Sequence, residues 1–388
     1  MQMHEVKTEA DKRSFLEFPV SLYKNDPNYI RPLDKDIEEV FDPAKNKFFK
    51  KGGECTRWLL KNDNGEIIGR IAAFVNKQYK MPQPTGGVGF FECIDDQQAA
   101  NFMFDHCRQW LQQRGMEAMD GPINFGERER WWGLQIEGFQ EPLYCMTYNP
   151  RYYQALFENY GFQNFYDQVC FALKVKDRLQ DKFYIRHDEL SKDPNYTAKH
   201  IRKDQLDKFA KDFTYIYNKA WAQHGGGKEL EERTVRKMFQ TMKPVMDEHI
   251  TWFTYYKDEP IAFWVNLPDL NQYFKHLNGK FGLLQKLKFL MLKQFGACNR
   301  FVGLAFGIIP EFQGKGVDAF MIIEGAKVIQ PRPKYTDYEM QWIGDFNPKM
   351  INIAESLGTF RSRKLATYRY LFDRNKPFER HPILKMDR

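Results

Sequence analysis

The sequence predicts an α/β (α+β) chain built as two tandem copies of one domain. Three observations point there. A length of 388 residues suits two domains at roughly 100–200 residues each. Each half reads as the same succession of hairpin, strand, helix, strand, helix and strand. The halves also end alike: Phe157-Glu158-Asn159-Tyr160-Gly161-Phe162 corresponds to Ala354-Glu355-Ser356-Leu357-Gly358-Thr359, a helix closed by glycine ahead of a last strand.

In the first half, residues 56–60 read as a strand, Asn62-Asp63-Asn64-Gly65 as a turn, and 66–75 as the returning strand. Residues 89–94 form a further apolar run. Asp95-Asp96 caps a helix over 97–114, whose apolar positions Phe102, Met103, Cys107, Trp110 and Leu111 share a face, and Gly115 ends it. A short strand at 117–120, a helix at 150–159 closed by Gly161, and a strand at 165–173 complete the half. Residues 174–203 are polar and strand-poor and read as the domain connection.

The second half opens with amphipathic helices over 205–222 and 229–246, separated by Gly225-Gly226-Gly227 after His224, a run that serves either a substrate loop or a linker. Strands at 250–256 and 260–266 turn about Lys257-Asp258-Glu259. A helical stretch at 282–294 follows, then a strand at 301–309, a helix at 317–329, a strand at 335–343, a helix at 348–357 and a strand at 365–372.

Composition narrows the function. A net charge of +7 is mild for this length, and the short basic clusters at 47–51 and 361–364 form no stripe, so no nucleic-acid partner is expected. Six cysteines include no CxxC pair, and the histidines have no ligand spacing, so metal sites are not expected and buried free thiols are. The first residues lack an apolar signal core, and no segment approaches the ~18 apolar residues of a membrane span. The expectation is a cytoplasmic protein with no membrane partner.

The segment richest in chemistry is Phe301-Val302-Gly303-Leu304-Ala305-Phe306-Gly307-Ile308-Ile309-Pro310-Glu311-Phe312-Gln313-Gly314-Lys315-Gly316-Val317-Asp318. A strand ends at a proline, and a Gly-rich turn feeds a helix. Glycines admit close backbone approach, and the unpaired N–H groups of a helix start attract anions. Pyrophosphate suits such a site, with Lys315 adding charge. Strand–glycine–helix junctions also occur without ligands, so the physics alone leaves both readings open. A second loop stands out: Gly121-Pro122-Ile123-Asn124-Phe125-Gly126-Glu127-Arg128-Glu129-Arg130-Trp131-Trp132-Gly133 is aromatic, charged and punctuated by glycine. Such loops line clefts, and Glu127, Arg128, Arg130 and Trp131 are its candidate acceptor contacts.

The 313–318 loop resembles the acyl-coenzyme A loop of the Gcn5-related N-acetyltransferase (GNAT) superfamily, whose pattern is Arg or Gln, two residues, Gly, one residue, then Gly or Ala. Gln313 and Gly316 match in identity and spacing, while Asp318 stands where the pattern has a small residue. Downstream, Glu339-Met340-Gln341-Trp342-Ile343, Asn347 and Leu357-Gly358 resemble the family's next strand and helix. The resemblance covers roughly residues 196–375. It implies two tandem GNAT-like domains, each a mostly antiparallel mixed sheet flanked by helices: residues 1–180 a degenerate copy without a phosphate loop, residues 181–388 the acyl-CoA-binding copy. It further implies acetyl-CoA or another acyl-CoA held by Ile308, Ile309, Gln313, Gly314, Lys315, Gly316, Val317, Asp318 and Asn347. The position of the family's frequent general-acid tyrosine is Ala354, which leaves Tyr368 or Tyr370 on the last strand as substitutes, and Glu339 is the candidate base. The function implied is an acyl-CoA-dependent N-acyltransferase, an acetyltransferase acting on a small-molecule or peptide amine by direct transfer in a ternary complex. The alternatives are a non-catalytic coenzyme A or metabolite binder of the same fold and an aminoacyl or peptidyl transferase of the cell-wall type.

Overall fold

The computed structural model describes residues 1–222 and 229–384, so Gly225-Gly226-Gly227 lies outside the described residues. The strands are β1 (Gln2–Glu5), β2 (Glu54–Lys61), β3 (Ile67–Val75), β4 (Thr85–Cys93), β5 (Ala118–Gly121), β6 (Leu134–Glu137) and β7 (Gln163–Lys174) in the first half. The second half carries β8 (Tyr196–His200), β9 (Trp252–Tyr256), β10 (Glu259–Pro268), β11 (Arg300–Ile308), β12 (Asp337–Met340), β13 (Ile343–Gly344) and β14 (Phe360–Leu371). The helices are α1 (Glu9–Leu22), α2 (Asp34–Phe41), α3 (Lys47–Lys50), α4 (Gln97–Gln112), α5 (Tyr153–Tyr160), α6 (Asp181–Leu190), α7 (Leu206–Tyr217), α8 (Glu232–Met242), α9 (Asn271–Phe274), α10 (Leu283–Gln294), α11 (Val317–Ile329) and α12 (Pro348–Ser356).

All the strands join one sheet in the order β1-β2-β3-β4-β5-β14-β7-β12-β11-β10-β9-β8, with β6 on β14 and β13 on β7. Pairing is antiparallel except at β4–β5 and β11–β12, which are parallel and each joined by a crossover helix, α4 and α11. This is the mixed, mostly antiparallel sheet flanked by helices that the sequence implies. The final strands of the two halves are exchanged. β14 completes the first half against β5, while β7 completes the second half against β12. Each half keeps its own apolar core, one around Phe91, Phe104 and Phe157, the other around Phe213, Phe253 and Phe263.

The polar stretch 174–203 is more structured than its composition implies. It holds α6, which packs on α11 through Phe183 and His187, and β8, which pairs with β9. Only those two helix residues are buried, and β8 is a half-exposed edge strand, so neither leaves the apolar periodicity that betrays an element. Five of the six cysteines are buried, Cys55 is half-buried, and all are free thiols. No group of metal-ligating side chains occurs among the described residues, and no helix among them is long and apolar enough to cross a membrane.

Candidate functional site

β11 and β12 run in register from Arg300↔Asp337 to Gly303↔Met340 and then part. The last link is Gln341 N–H to the Gly303 carbonyl at 3.0 Å. Beyond it β11 continues against β10 as far as Ile308, while the chain after Met340 stays with β7, the other neighbour of β12. A wedge opens between the two strands. Gly303 stands at its apex because the Tyr338 hydroxyl occupies the space a Cβ would need. The next residue, Leu304, has no partner in β10, where Val265↔Ala305 is followed by Asn266↔Gly303. This bulge bends the strand and leaves Leu304 42% exposed.

The wedge contains a cavity of about 490 Å³. Leu304, Ala305 and Phe306 line one side and Met340 and Trp342 the other. α11 contributes Ile322, Ala326 and Ile329 at helical spacing, and α12 contributes Met350, Ile353 and Ala354, with Leu357 just past its end. Polar groups are few: Tyr338, Gln341, Asn347, Tyr217 and, from the first half, Glu129 are among them. Burial pushes the Tyr338 hydroxyl up to about 12, so it keeps its proton at neutral pH.

The turn after β11 leads to a bare helix start. Gly314 and Gly316 adopt φ of 73° and 83°, values that favour glycine. Gly316 is the N-cap of α11 and supplies no side chain to cap it. The first backbone bond into the helix is Phe320 N–H to the Gly316 carbonyl at 3.0 Å, so the N–H groups of Val317, Asp318 and Ala319 precede the hydrogen-bonded ladder. A Cβ at Gly314 would meet nothing within 4 Å, which leaves that side open to a ligand. Gln313 braces the turn: its amide donates to the Ile308 carbonyl, and its oxygen accepts from Lys349 on α12, both at 3.0 Å. Free N–H groups and two glycines fit a pyrophosphate, and the cavity, which meets α11 farther along at Ile322, is apolar enough for an attached chain.

The matching place in the first half is closed. Asp96 accepts from the N–H groups of Gln98 and Ala99 at 2.8 and 3.1 Å, which caps α4 and puts a carboxylate where an anion would bind. The Ile123 carbonyl sits where a Cβ on Gly89 would lie, and the Ile123 N–H donates to Val88 at 2.8 Å. The chain itself fills the gap between β4 and β5.

The residues singled out from sequence divide into two groups. Gln313 to Asp318 form the turn and helix start, and Asn347 lines the cavity while capping α12 through Met350 N–H at 3.2 Å. Ile308 and Ile309 lie between. The Ile309 N–H is already bonded to the Ile261 carbonyl at 3.0 Å. Glu339 is 2% exposed and lies outside the cavity wall. Its oxygens accept from Arg363 at 2.6 and 3.0 Å, from Ser362 at 2.7 Å and from Arg300 at 3.4 Å. Burial opposes its charge, but the two arginines outweigh that and hold its carboxyl below the usual glutamate range. Tyr368 lies in the first half's core, where its hydroxyl donates to Glu158 at 2.8 Å. Tyr370 packs in the same core.

In the 121–133 loop, Glu127 pairs with Lys47, Arg128 lies over Tyr79 and Trp132, Trp131 packs beside Phe90, and the Arg130 carbonyl accepts from Asn124. Glu129 is the residue of this loop that reaches the cavity. Sequence reasoning missed it, and missed Leu304 and Tyr338. The loop itself was recognisable, but nothing in its alternating charges separates Glu129 from Glu127.

No family model matches the chain. It is 27% identical over 379 residues to a bacterial ceramide synthase of Caulobacter vibrioides, covering 91% of this chain and 93% of that protein. It is also 27% identical over 368 residues to the protein YghO of Escherichia coli, covering 92% of each. Among solved structures, a tandem GNAT protein from the clavulanic acid biosynthesis pathway superposes with a TM-score of 0.54 over 97% of this chain and 99% of that one, at 9% identity. The chain has the tandem GNAT fold.

Proposed function

We propose that this chain, a tandem GNAT fold with one open wedge, transfers a fatty acyl group from acyl-coenzyme A to the amine of a lipid-like acceptor. The observation that carries the reading is the apolar cavity between β11 and β12, walled by Ile322, Ala326 and Ile329 of the helix α11, whose start is uncapped. Its volume of about 490 Å³ is several times that of an acetyl group, which fills roughly the space of two waters, ~60 Å³. Ala354 enlarges it, where a tyrosine would project from α12. Similarity to a ceramide synthase supports the same substrate class, because a ceramide is the amide of a fatty acid with a long-chain amino alcohol.

In this reading the N–H groups of Val317, Asp318 and Ala319, with Gln313, Gly314, Lys315 and Gly316, hold the pyrophosphate, and Asn347 borders the acyl path. The bound donor supplies the thioester that makes the acyl group reactive. The wedge aligns it with the amine and excludes water. The unpaired backbone around the Leu304 bulge is assigned to the reacting carbonyl. The amine nitrogen bonds to the acyl carbon as the carbon–sulfur bond breaks, and a carboxylate takes the proton that the amine sheds and returns it to the departing coenzyme A thiolate. Glu129, at the cavity and contributed by the other half, is assigned that role in place of Glu339.

Calorimetric titration with palmitoyl-CoA and acetyl-CoA, followed by thiol-release assays with a long-chain and a short-chain amine, tests this. Tight binding of palmitoyl-CoA, weaker binding of acetyl-CoA and turnover with the long-chain amine are expected. Gly316→Glu should abolish binding of both donors, because it sets a carboxylate at the pyrophosphate position. Undiminished affinity in that variant, or no affinity in the unaltered chain, would remove the site from α11.

A further inference from the structure

Helix α10 stands apart from the rest of the surface. Of its residues only Phe289 is buried, against Tyr273, Phe274 and Phe281. Leu283, Leu284, Leu287, Leu290, Met291 and, just past its end, Phe295 are between 53% and 82% exposed. At roughly 100° per residue these six occupy one stripe of about 140°, opposite Phe289. Lys286 and Lys288 fall on its two edges. Exposed apolar side chains scattered singly are ordinary; six on one face mark a surface that something covers.

Charge identifies what covers it. Between Asp269 and Glu311 the chain carries no acidic residue, yet it carries Lys280, Lys286, Lys288 and Lys293, besides Lys275 and Arg300, which are paired with Glu141 and with Asp269 and Glu339. Lys293 also opens onto a hollow with Lys203, Arg332 and Lys334, where Asp247 and Glu248 offset only part of the positive charge. An apolar stripe edged by lysines and free of carboxylates is the pattern of a helix lying in the plane of an anionic bilayer surface. The sequence reading expects no membrane partner because no segment is long enough to span one, but a helix that lies on a bilayer needs no such length.

We propose that α10 seats this protein on anionic phospholipid membranes, its apolar stripe entering the acyl boundary and its lysines meeting the headgroups. The seat does not depend on acyl transfer, although α10 leads through 295–299 into β11, whose Phe301 and Leu304 line the cavity.

Flotation of the full chain with vesicles tests the seat. The chain should rise with equimolar phosphatidylcholine–phosphatidylglycerol vesicles, bind far less to phosphatidylcholine alone, and release as salt screens the lysines. The triple variant Leu283→Glu, Leu287→Glu, Leu290→Glu should bind at least tenfold less while keeping the unaltered circular dichroism spectrum, since all three side chains stand in solvent. The double variant Lys280→Glu, Lys286→Glu should lose the preference for phosphatidylglycerol. Failure of the unaltered chain to bind any vesicle, or equal binding by the triple variant, overturns the proposal. So does a lipid-free dimer that the triple variant splits, without vesicle binding, because a second copy would then be the occupant.

Discussion

Glu339 holds two arginines on one buried carboxylate, and among the described residues Arg363 has no other carboxylate within salt-bridge distance. Replacing Glu339 with glutamine leaves that guanidinium buried and unbalanced, a loss of about 3–5 kcal/mol, to be read from denaturant unfolding at neutral pH. The folded carboxyl titrates below the unfolded one. Its contribution is therefore complete above the ordinary glutamate pKa of about 4.3 and disappears as pH falls through the lowered folded value; the stability gap between the unaltered chain and Glu339→Gln should narrow only on acidification. Glu129 predicts the opposite behaviour. Glu129→Gln should leave the unfolding midpoint unchanged and lower kcat roughly a hundredfold or more, with the affinity for acyl-CoA intact. The sequence points to Glu339 and the cavity to Glu129 for a physical reason. Glu339 lies on the strand beside the loop, where a base is expected, but its partners Arg363 and Arg300 come from other strands of the sheet and no spacing announces them.

At the scale of elements, the wedge depends on what stops β11 and β12 from pairing and on what leaves the start of α11 bare. The second was legible in part: α11 spans the residues its apolar run predicts, and the glycine turn before it stands out in the sequence. The first was not, because a bulge such as that at Leu304 is fixed by register with β10, and register is a property of two strands. The cap of α4 was legible too, since Asp96 accepts from the N–H groups of Gln98 and Ala99. The cavity predicts a size-selective variant. Ala354 is 1% exposed with the cavity before it, so Ala354→Phe should place a ring in the acyl path. Turnover of palmitoyl-CoA should fall more than tenfold while acetyl-CoA turnover holds or rises, compared side by side in thiol-release assays. Equal loss for both donors would mean that the acyl chain runs elsewhere.

The exchange of final strands governs the molecule as a whole. The repeat of elements was visible in the sequence, but the exchange was not, since β7 and β14 close either half equally well by pattern. Residues 1–180 alone would lack β14 and leave the edge of β5 unpaired, and residues 181–388 alone would lack β7 beside β12. Neither fragment should give a cooperative thermal transition, whereas mixing the two should restore one; a stable fragment 1–180 would contradict the exchange. The same arrangement sets a schedule for synthesis. The Asp120–Arg369 ion pair, two hydrogen bonds of 2.7 and 2.8 Å, joins residues 249 positions apart. A ribosome adding roughly 5–20 residues per second needs more than ten seconds to deliver the second partner after the first. Through that interval the nascent first sheet keeps an open edge, a row of unpaired N–H and C=O groups, until the last strand arrives.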